Sequence, residues 1–328
     1  MIDIIATFVK QAIIQGVPLL YGSTGEIITE KSGNLNLGIP GIMYVGGISG
    51  VIGAFFYEKS VENINAFWVI VIPLISSLIG SCLISLLYCF ITVNLRANQN
   101  VTGLTITTFG VGFGNFFGGS LARLAGGEST SISLVATSQY FRKTLPFCEK
   151  TGDFGKLFFS YGFLAYVAVI IAIVMTFVLR RTRIGLHLRA VGESPSTADA
   201  AGINVTKYRY GATCIGGMIA GLGGLYYVMD YMCGVWSNDG FGDRGWLAIA
   251  IVIFTLWKPD LSILGSFLFG GLYILYIFIP GLSRSSQELF KMLPYVVTII
   301  VLIMTSVRKK REDQPPASLG MNYFREER

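Results

Sequence analysis

The sequence predicts an all-α, polytopic integral membrane bundle of about nine helices, between eight and ten, with a short capped helix at its cytoplasmic face. Three observations lead there. Hydrophobic residues make up 52% of the chain and charged residues only 13%, where a soluble domain carries roughly 25% charged. Uncharged apolar runs recur at span length, as in Phe158 to Leu179 and Gly211 to Met229, and roughly 20 apolar residues in helical rise match the ~30 Å hydrocarbon core. Between those two runs lies a basic island, Arg180 to Tyr210. A charged segment held between two spans sits at one membrane face, and its arginines assign that face to the cytoplasm.

In chain order the apolar runs place spans near 4–24, 37–56, 66–93, 101–117, 158–179, 208–229, 245–257, 262–279 and 292–307. With the island cytoplasmic, alternation puts the Glu30-Lys31 loop, Arg96 and the Arg308-Lys309-Lys310-Arg311 tail on the same side. Loop 57–65, the segment 118–157 and the N-terminus fall outside. The N-terminus shows no basic leader and no small-residue cleavage site. Pro73 in the third span predicts a kink. The run Trp246 to Trp257 gives only ~18 Å of helix, which is too short to span and reads as a half-helix lining protein. Gly46-x-x-x-Gly50, Gly114-x-x-x-Gly118 and Gly217-x-x-x-Gly221 predict close helix packing.

Within the island, Ser194 reads as an N-cap, Pro195 as the first helical residue and Gly202 as the residue after the helix end. A helix over Pro195–Ala201 follows, on a surface suited to a partner. The organisation is therefore a transmembrane domain over 1–307, interrupted by the loop 180–209, and a mobile cytoplasmic tail over 308–328, polar and containing Pro315-Pro316.

Several chemistries lack their residues. The sole histidine, His187, cannot build a His-based zinc site or a Ser-His-Asp triad for lack of partners, and is expected to pack on its loop. Cys82, Cys89, Cys148, Cys214 and Cys233 have no metal-type spacing and read as small buried hydrophobes. There is no Gly-x-x-x-x-Gly-Lys-Ser/Thr phosphate loop. Gly110-Val-Gly112-Phe-Gly114 lies in an apolar run with no strand before it, so it is not a dinucleotide loop. The net charge of +6 sits in the island and tail, where lipid headgroups account for it, and no nucleic-acid partner is expected. Ionisable groups in spans are few: Lys10, with Glu26 and Asp230 near span ends. That scarcity argues against an ion-coupled relay. Thr105, Thr107, Thr108, Asn115, Gln11 and Gln15 offer uncharged polar groups, used either between helices or toward a neutral polar solute.

Four blocks together carry a resemblance. Glu26-x(6)-Ser32-Gly33-Asn34-Leu35-Asn36-Leu37-Gly38-Ile39-Pro40-Gly41-Ile42-Met43 resembles the N-terminal signature of ABC-importer permeases of the branched-chain amino acid and simple-sugar superfamily. Arg96 to Gly103 is similar to the segment after their third span. Gly185-Leu-His-Leu-Arg189-Ala-Val-Gly192-Glu193-Ser-Pro195, followed by Ala200-Ala201-Gly202-Ile203, resembles their coupling loop. Gly242-Asp-Arg244-Gly245-Trp246-Leu-Ala248-Ile-Ala250 with Trp257-Lys-Pro259 forms the fourth block. The order and short N-terminus look most like the shorter permease of bacterial nucleoside importers. One departure stands out: Pro40 occupies a position where the family usually has Glu.

The resemblance implies a permease subunit that carries a nucleoside or simple sugar inward across the bacterial cytoplasmic membrane, with no catalytic residue and no metal or cofactor of its own. ATP and Mg²⁺ would belong to a separate ABC ATPase. Other implied partners are a second related permease, in a heterodimer or homodimer, an extracytoplasmic substrate-binding lipoprotein, and membrane lipid. Arg189, Glu193, Ser194, Pro195, Asp199, Ala201 and Gly202 are the expected ATPase-coupling residues. Asn36, Thr105, Thr108, Asn115 and Trp246 are the expected pathway lining. The alternative is an ion-coupled secondary carrier for a small polar solute.

Overall fold

The structure, a computed structural model, describes residues 2–124, 131–144, 155, 157–308 and 314–325. In order they form α1 (Ile2–Glu30), α2 (Ile39–Ser60), α3 (Trp68–Cys89, prolonged by a π turn, Phe90–Asn94), α4 (Gln99–Leu124), β1 (Ser131–Ser133) and α5 (Val135–Phe141). There follow α6 (Phe163–Arg181), α7 (Arg183–Glu193), α8 (Pro195–Ala200), α9 (Val205–Tyr226, with a π turn Tyr227–Tyr231) and β2 (Val235–Ser237). The chain continues through α10 (Arg244–Phe254), α11 (Pro259–Ile274, with a 3₁₀ turn Leu275–Phe278), α12 (Arg284–Lys291) and α13 (Leu293–Arg308). The architecture is an all-α membrane bundle.

Among the described residues, seven helices are long and apolar enough to cross a membrane, the seventh running from Arg284 to Met304 through α12 and into α13. The expected count of about nine is not reached by that measure, and two elements make the difference. Helix α4 has 26 residues, but its hydroxyls, glycines and amides lower its apolar character. Helix α10 has 11 residues, the half-helix its sequence length implied. Pro73 lies inside α3, which runs on through it.

The outer surface is apolar, as an apolar solvent requires, and polar groups are buried beside a hydrophobic core. Leu83 on α3, Phe177 on α6 and Val307 on α13 are more than half exposed, whereas Gln15, Ser23, Glu26 and Asn36 are fully buried. Helices α1, α2 and α9 form the centre. Small residues let them approach: a methyl group on Gly46 would collide with the Gly221 backbone, and one on Gly224 with the Met43 carbonyl. Ser77 of α3 donates to the Gly221 carbonyl at 3.2 Å, while Ser81 and Ser85 bond back to carbonyls of their own helix. The same seam brings Cys214 of α9 into contact with Cys82 and Cys89 of α3, all free thiols that linear spacing did not group. Cys148 lies outside the described residues.

The two ends of the bundle differ. At one, β1 and β2 pair antiparallel through Ile132 and Trp236, and Lys59 at the end of α2 donates to the Leu124 carbonyl. At the other lie Glu30, α7, α8 and the tail segment 314–325.

Packing at Gly224 meets backbone, which cannot rotate away. Gly224→Val should therefore destabilise the protein by ~1–3 kcal/mol or more. Nothing lies within 4 Å of a methyl placed on Gly112, so Gly112→Ala should match or exceed wild-type stability by up to roughly 1 kcal/mol. Thermal unfolding of both variants in one detergent tests the pair.

Candidate functional site

The four sequence blocks meet in space at the stretch between α1 and α2. Residues 31–38 are not helical beyond the first turn, yet Ser32, Asn34 and Asn36 are completely buried. Irregular backbone inside a membrane bundle must find its hydrogen bonds within the protein. Here it does so through specific side chains. Leu35 N–H donates to Gln99 Oε1 at 2.7 Å, and Leu35 carbonyl accepts from Tyr88 Oη at 2.5 Å. Asn36 N–H donates to Glu26 Oε1 at 3.1 Å, and Gly38 N–H to Asn36 Oδ1 at 2.9 Å. Leu37 carbonyl accepts from Thr107 at 2.8 Å, Gly33 carbonyl from the Gly320 N–H at 3.1 Å, and Asn34 Nδ2 donates to Thr213 at 3.1 Å.

Close backbone contacts add to those bonds. A methyl on Gly103 would lie 2.8 Å from the Leu37 nitrogen. Gly192 packs on the Lys31 carbonyl and Gly245 on Pro40. Trp257 donates its indole N–H to Glu30 Oε2. One element from each block thus touches 30–41, and Pro40 fills its place by packing against the first turn of α10. Burial lowers the Lys31 ammonium from its ordinary value; Glu193 raises it in opposition, while Arg189 and Lys258 lower it further.

The island folds as two helices rather than one. Thr182 caps α7, accepting from Gly185 N–H at 3.2 Å, and Leu188, Val191 and Gly192 face inward. Ser194 caps α8, accepting from Thr197 N–H at 3.4 Å, with Pro195 first in the helix. At the far end Gly202 has φ +82°. Its N–H donates to the Asp199 carbonyl at 2.9 Å, and that of Ile203 to Ala198 at 3.0 Å, the paired bonds of a Schellman ending. Ala198 packs between Val191 and Val205. His187 is part-buried, its Nδ1 2.8 Å from Tyr208 Oη.

Of the expected coupling residues, Arg189, Glu193, Ala201 and Gly202 are exposed, with Ser194 and Pro195 partly so. Arg189 Nε reaches its own helix at the Gly185 carbonyl, 3.4 Å away. Asp199 differs from expectation: Tyr323 donates to it at 2.8 Å and Arg325 lies 3.2 Å away. The tail, expected to be mobile, makes further bonds over 314–325. Ser318 N–H and Oγ both donate to the Gly192 carbonyl, Asn322 Nδ2 to Arg96 carbonyl at 2.6 Å, and Arg209 to Met321 carbonyl at 3.2 Å. Its polar composition suits this because its partners are unpaired carbonyls rather than an apolar core. A cavity of about 750 Å³ opens between Tyr323, Arg325 and the start of α9.

The expected pathway residues do not converge. Asn36 belongs to the buried segment. Thr105 and Thr108 face outward on α4 and bond back to the Val101 and Leu104 carbonyls. Asn115 joins Tyr44 at 2.5 Å and Asp239 at 2.9 Å. Trp246 is half-buried on α10. Beside it, sequence reasoning missed Arg244, whose guanidinium is 7% exposed and lies 4.6 Å from the Tyr227 ring and 4.9 Å from Tyr231. It donates to the Phe241 carbonyl at 2.9 Å and Gln15 at 3.4 Å, with no carboxylate partner among the described residues. A buried cation in a membrane bundle was the available signal.

Deleting 314–328 strips partners from the carbonyls of Gly33 and Gly192, worth roughly 1–3 kcal/mol for each buried group left unpaired. Arg325→Ala breaks only an exposed ion pair, worth at most about 1 kcal/mol. Thermal unfolding should therefore show a clear loss for the deletion and almost none for Arg325→Ala.

The chain matches the family described as "Branched-chain amino acid transport system / permease component" over residues 8–302. It is 31% identical to the nucleoside ABC transporter permease protein NupC of Lactococcus lactis, over 99% of this chain and 98% of that one. It is 28% identical to the guanosine ABC transporter permease protein NupQ of Bacillus subtilis, over 100% and 99%. A putative glucose ABC transporter permease protein, TsgC13 of Haloferax volcanii, is 28% identical over 94% of each chain. The match spans nearly the whole bundle and all four blocks, so the chain belongs to this permease family as a multi-pass membrane transport subunit.

Proposed function

We propose that this chain is the membrane permease subunit of an ATP-driven importer for nucleosides, with α7 and α8 on the cytoplasmic side as the docking surface for a separate ABC ATPase. Full-length similarity to permeases named for nucleoside and guanosine transport supports the substrate class. Similarity to a putative glucose permease keeps a simple sugar as the second reading. ATP and Mg²⁺ reside on the ATPase, and a related permease and a substrate-binding lipoprotein complete the importer.

One observation carries the coupling role. Helix α8 is capped at both ends and packs through Ala198 on Val191, and Gly192 beside it rests on Lys31. Force applied to α8 by a moving ATPase groove therefore reaches segment 31–38 and, through its hydrogen bonds, α1, α3, α4 and α9. A rigid lever acting on a two-state bundle is a recognised way to alternate access. Glu193 and Arg189 supply charge at the exposed rim. The polar groups of Asn115, Tyr44 and Arg244, set beside aromatic rings, suit a polar, neutral solute.

Gly202→Val forces a β-branched residue into a left-handed backbone at a cost of roughly 1–2 kcal/mol; with nothing within 4 Å of the added carbon, the disturbance stays in the lever. This variant and Glu193→Arg should insert normally and keep the permease partner, yet lose substrate-stimulated ATP hydrolysis. Wild-type uptake by both at equal expression would reduce the island to a connector. Uptake driven by an ion gradient, by the purified chain alone in liposomes, would favour the secondary carrier instead.

A cysteine at Ser196, in a cysteine-free background, should resist an impermeant thiol reagent on intact cells and react in inverted vesicles. Labelling from outside the cell would reverse the orientation and remove the docking role.

A further inference from the structure

Glu26 and Glu30 stand one helical turn apart at the end of α1, 0% and 3% exposed, with their carboxyl groups in hydrogen-bond contact. Glu26 Oε1 accepts from Asn36 N–H, and Glu30 Oε2 from the Trp257 indole. Glu26 Oε2 is buried and receives no hydrogen bond from any amide, hydroxyl or backbone group among the described residues. Asn36 Nδ2, fully buried beside it on the same segment, is likewise without an acceptor. The charged and titratable groups around the pair are Lys31 next in the chain, Tyr88 on α3, Arg209 on α9 and Lys258 after Trp257. Arg189 and Glu193 on α7 act on Lys31. No lysine or arginine forms an ion pair with either glutamate among the described residues; Arg209 donates instead to Met321. Glu30 and Trp257 line a cavity of about 470 Å³ bounded also by Leu302 of α13 and Gln314 and Leu319 of the tail.

Two carboxylates in contact, buried and with no ion-paired cation, repel too strongly to be ionised together. A single proton between them removes the repulsion and supplies the donor that Glu26 Oε2 lacks. We propose that Glu26 and Glu30 share one proton, exchanged through the cavity that Glu30 lines, and that this proton holds segment 31–38 and Trp257 to the end of α1. The proton is bound and released in place; it is not carried across the membrane with substrate. Raising the pH removes it, sets two negative charges side by side, and loosens the joint.

Infrared spectroscopy of the full chain in lipid nanodiscs reads this without any transport assay, so the result is independent of the importer reading. A protonated-carboxyl C=O band, shifted by deuteration, should be present at neutral pH and disappear as pH rises. Wild type minus either Glu26→Gln or Glu30→Gln, whose amide mimics the protonated acid, should leave such a band, since the other buried acid, Asp230, is common to all three proteins. Hydrogen exchange at Leu35 and Asn36, corrected for intrinsic rates, should lose protection by roughly ten-fold per pH unit above the midpoint in wild type, and remain independent of pH in the variants. A wild-type spectrum with no acid band that titrates overturns the proposal even if the variants fail to fold. So does a band unchanged in both variants.

Discussion

Everything at the α7–α8 end depends on one constraint: a non-helical stretch of backbone buried in a membrane bundle has no water to bond to. Segment 31–38 meets that constraint with side chains from four helices and a turn of the tail. Each unmet amide or carbonyl in such a place costs roughly several kcal/mol, so the segment can exist only where Gln99, Tyr88, Thr107 and Glu26 converge on it. The segment in turn fixes where α2 begins, which sets the contact of Pro40 with Gly245 and so the seat of the half-helix α10. The four sequence blocks are therefore one unit in three dimensions, built around a stretch of chain that is not a helix.

This arrangement gives a physical reason for a displacement of α8 at the surface to be felt inside. Helix α8 contributes little burial of its own, since Ala198 is its single buried residue. Its leverage comes from Gly192, one turn before it, whose lack of a side chain lets α7 rest directly on the Lys31 backbone. The tail closes the same junction from the other side, bonding Gly192 and Gly33 carbonyls together through Ser318 and Gly320. It also engages Asp199 of α8 through Tyr323 and Arg325.

Local signals were legible and long-range ones were not. Ser194, Pro195 and Gly202 foretold α8 almost to the residue because caps act within a turn. The short run from Trp246 to Trp257 foretold a half-helix, found as the eleven residues of α10, because so short a run is too short to span. Helix α7 went unread, although Thr182 at its start and the spacing of Leu188 and Val191 were available signals. The partners of Leu35 and Leu37 lie 53 to 70 residues away, a distance at which no pattern in the sequence pairs them. Thr105 and Thr108 stand out in the sequence because hydroxyls in an apolar run are conspicuous; in the fold they lie on the exposed face of α4, each donating to its own helix. Arg244 was legible only as one residue of the fourth block, and the fold is what carries it in among tyrosines.

Amide hydrogen exchange across residues 31–38 tests the central claim most directly. The amides of Leu35, Asn36 and Gly38 should exchange as slowly as those in the middle of α2, and Gln99→Ala should release Leu35 while leaving α2 protected. Exchange at the rate of an exposed loop in the wild-type protein would contradict the account, because the segment would then be solvated and could not carry force from α8 into the bundle.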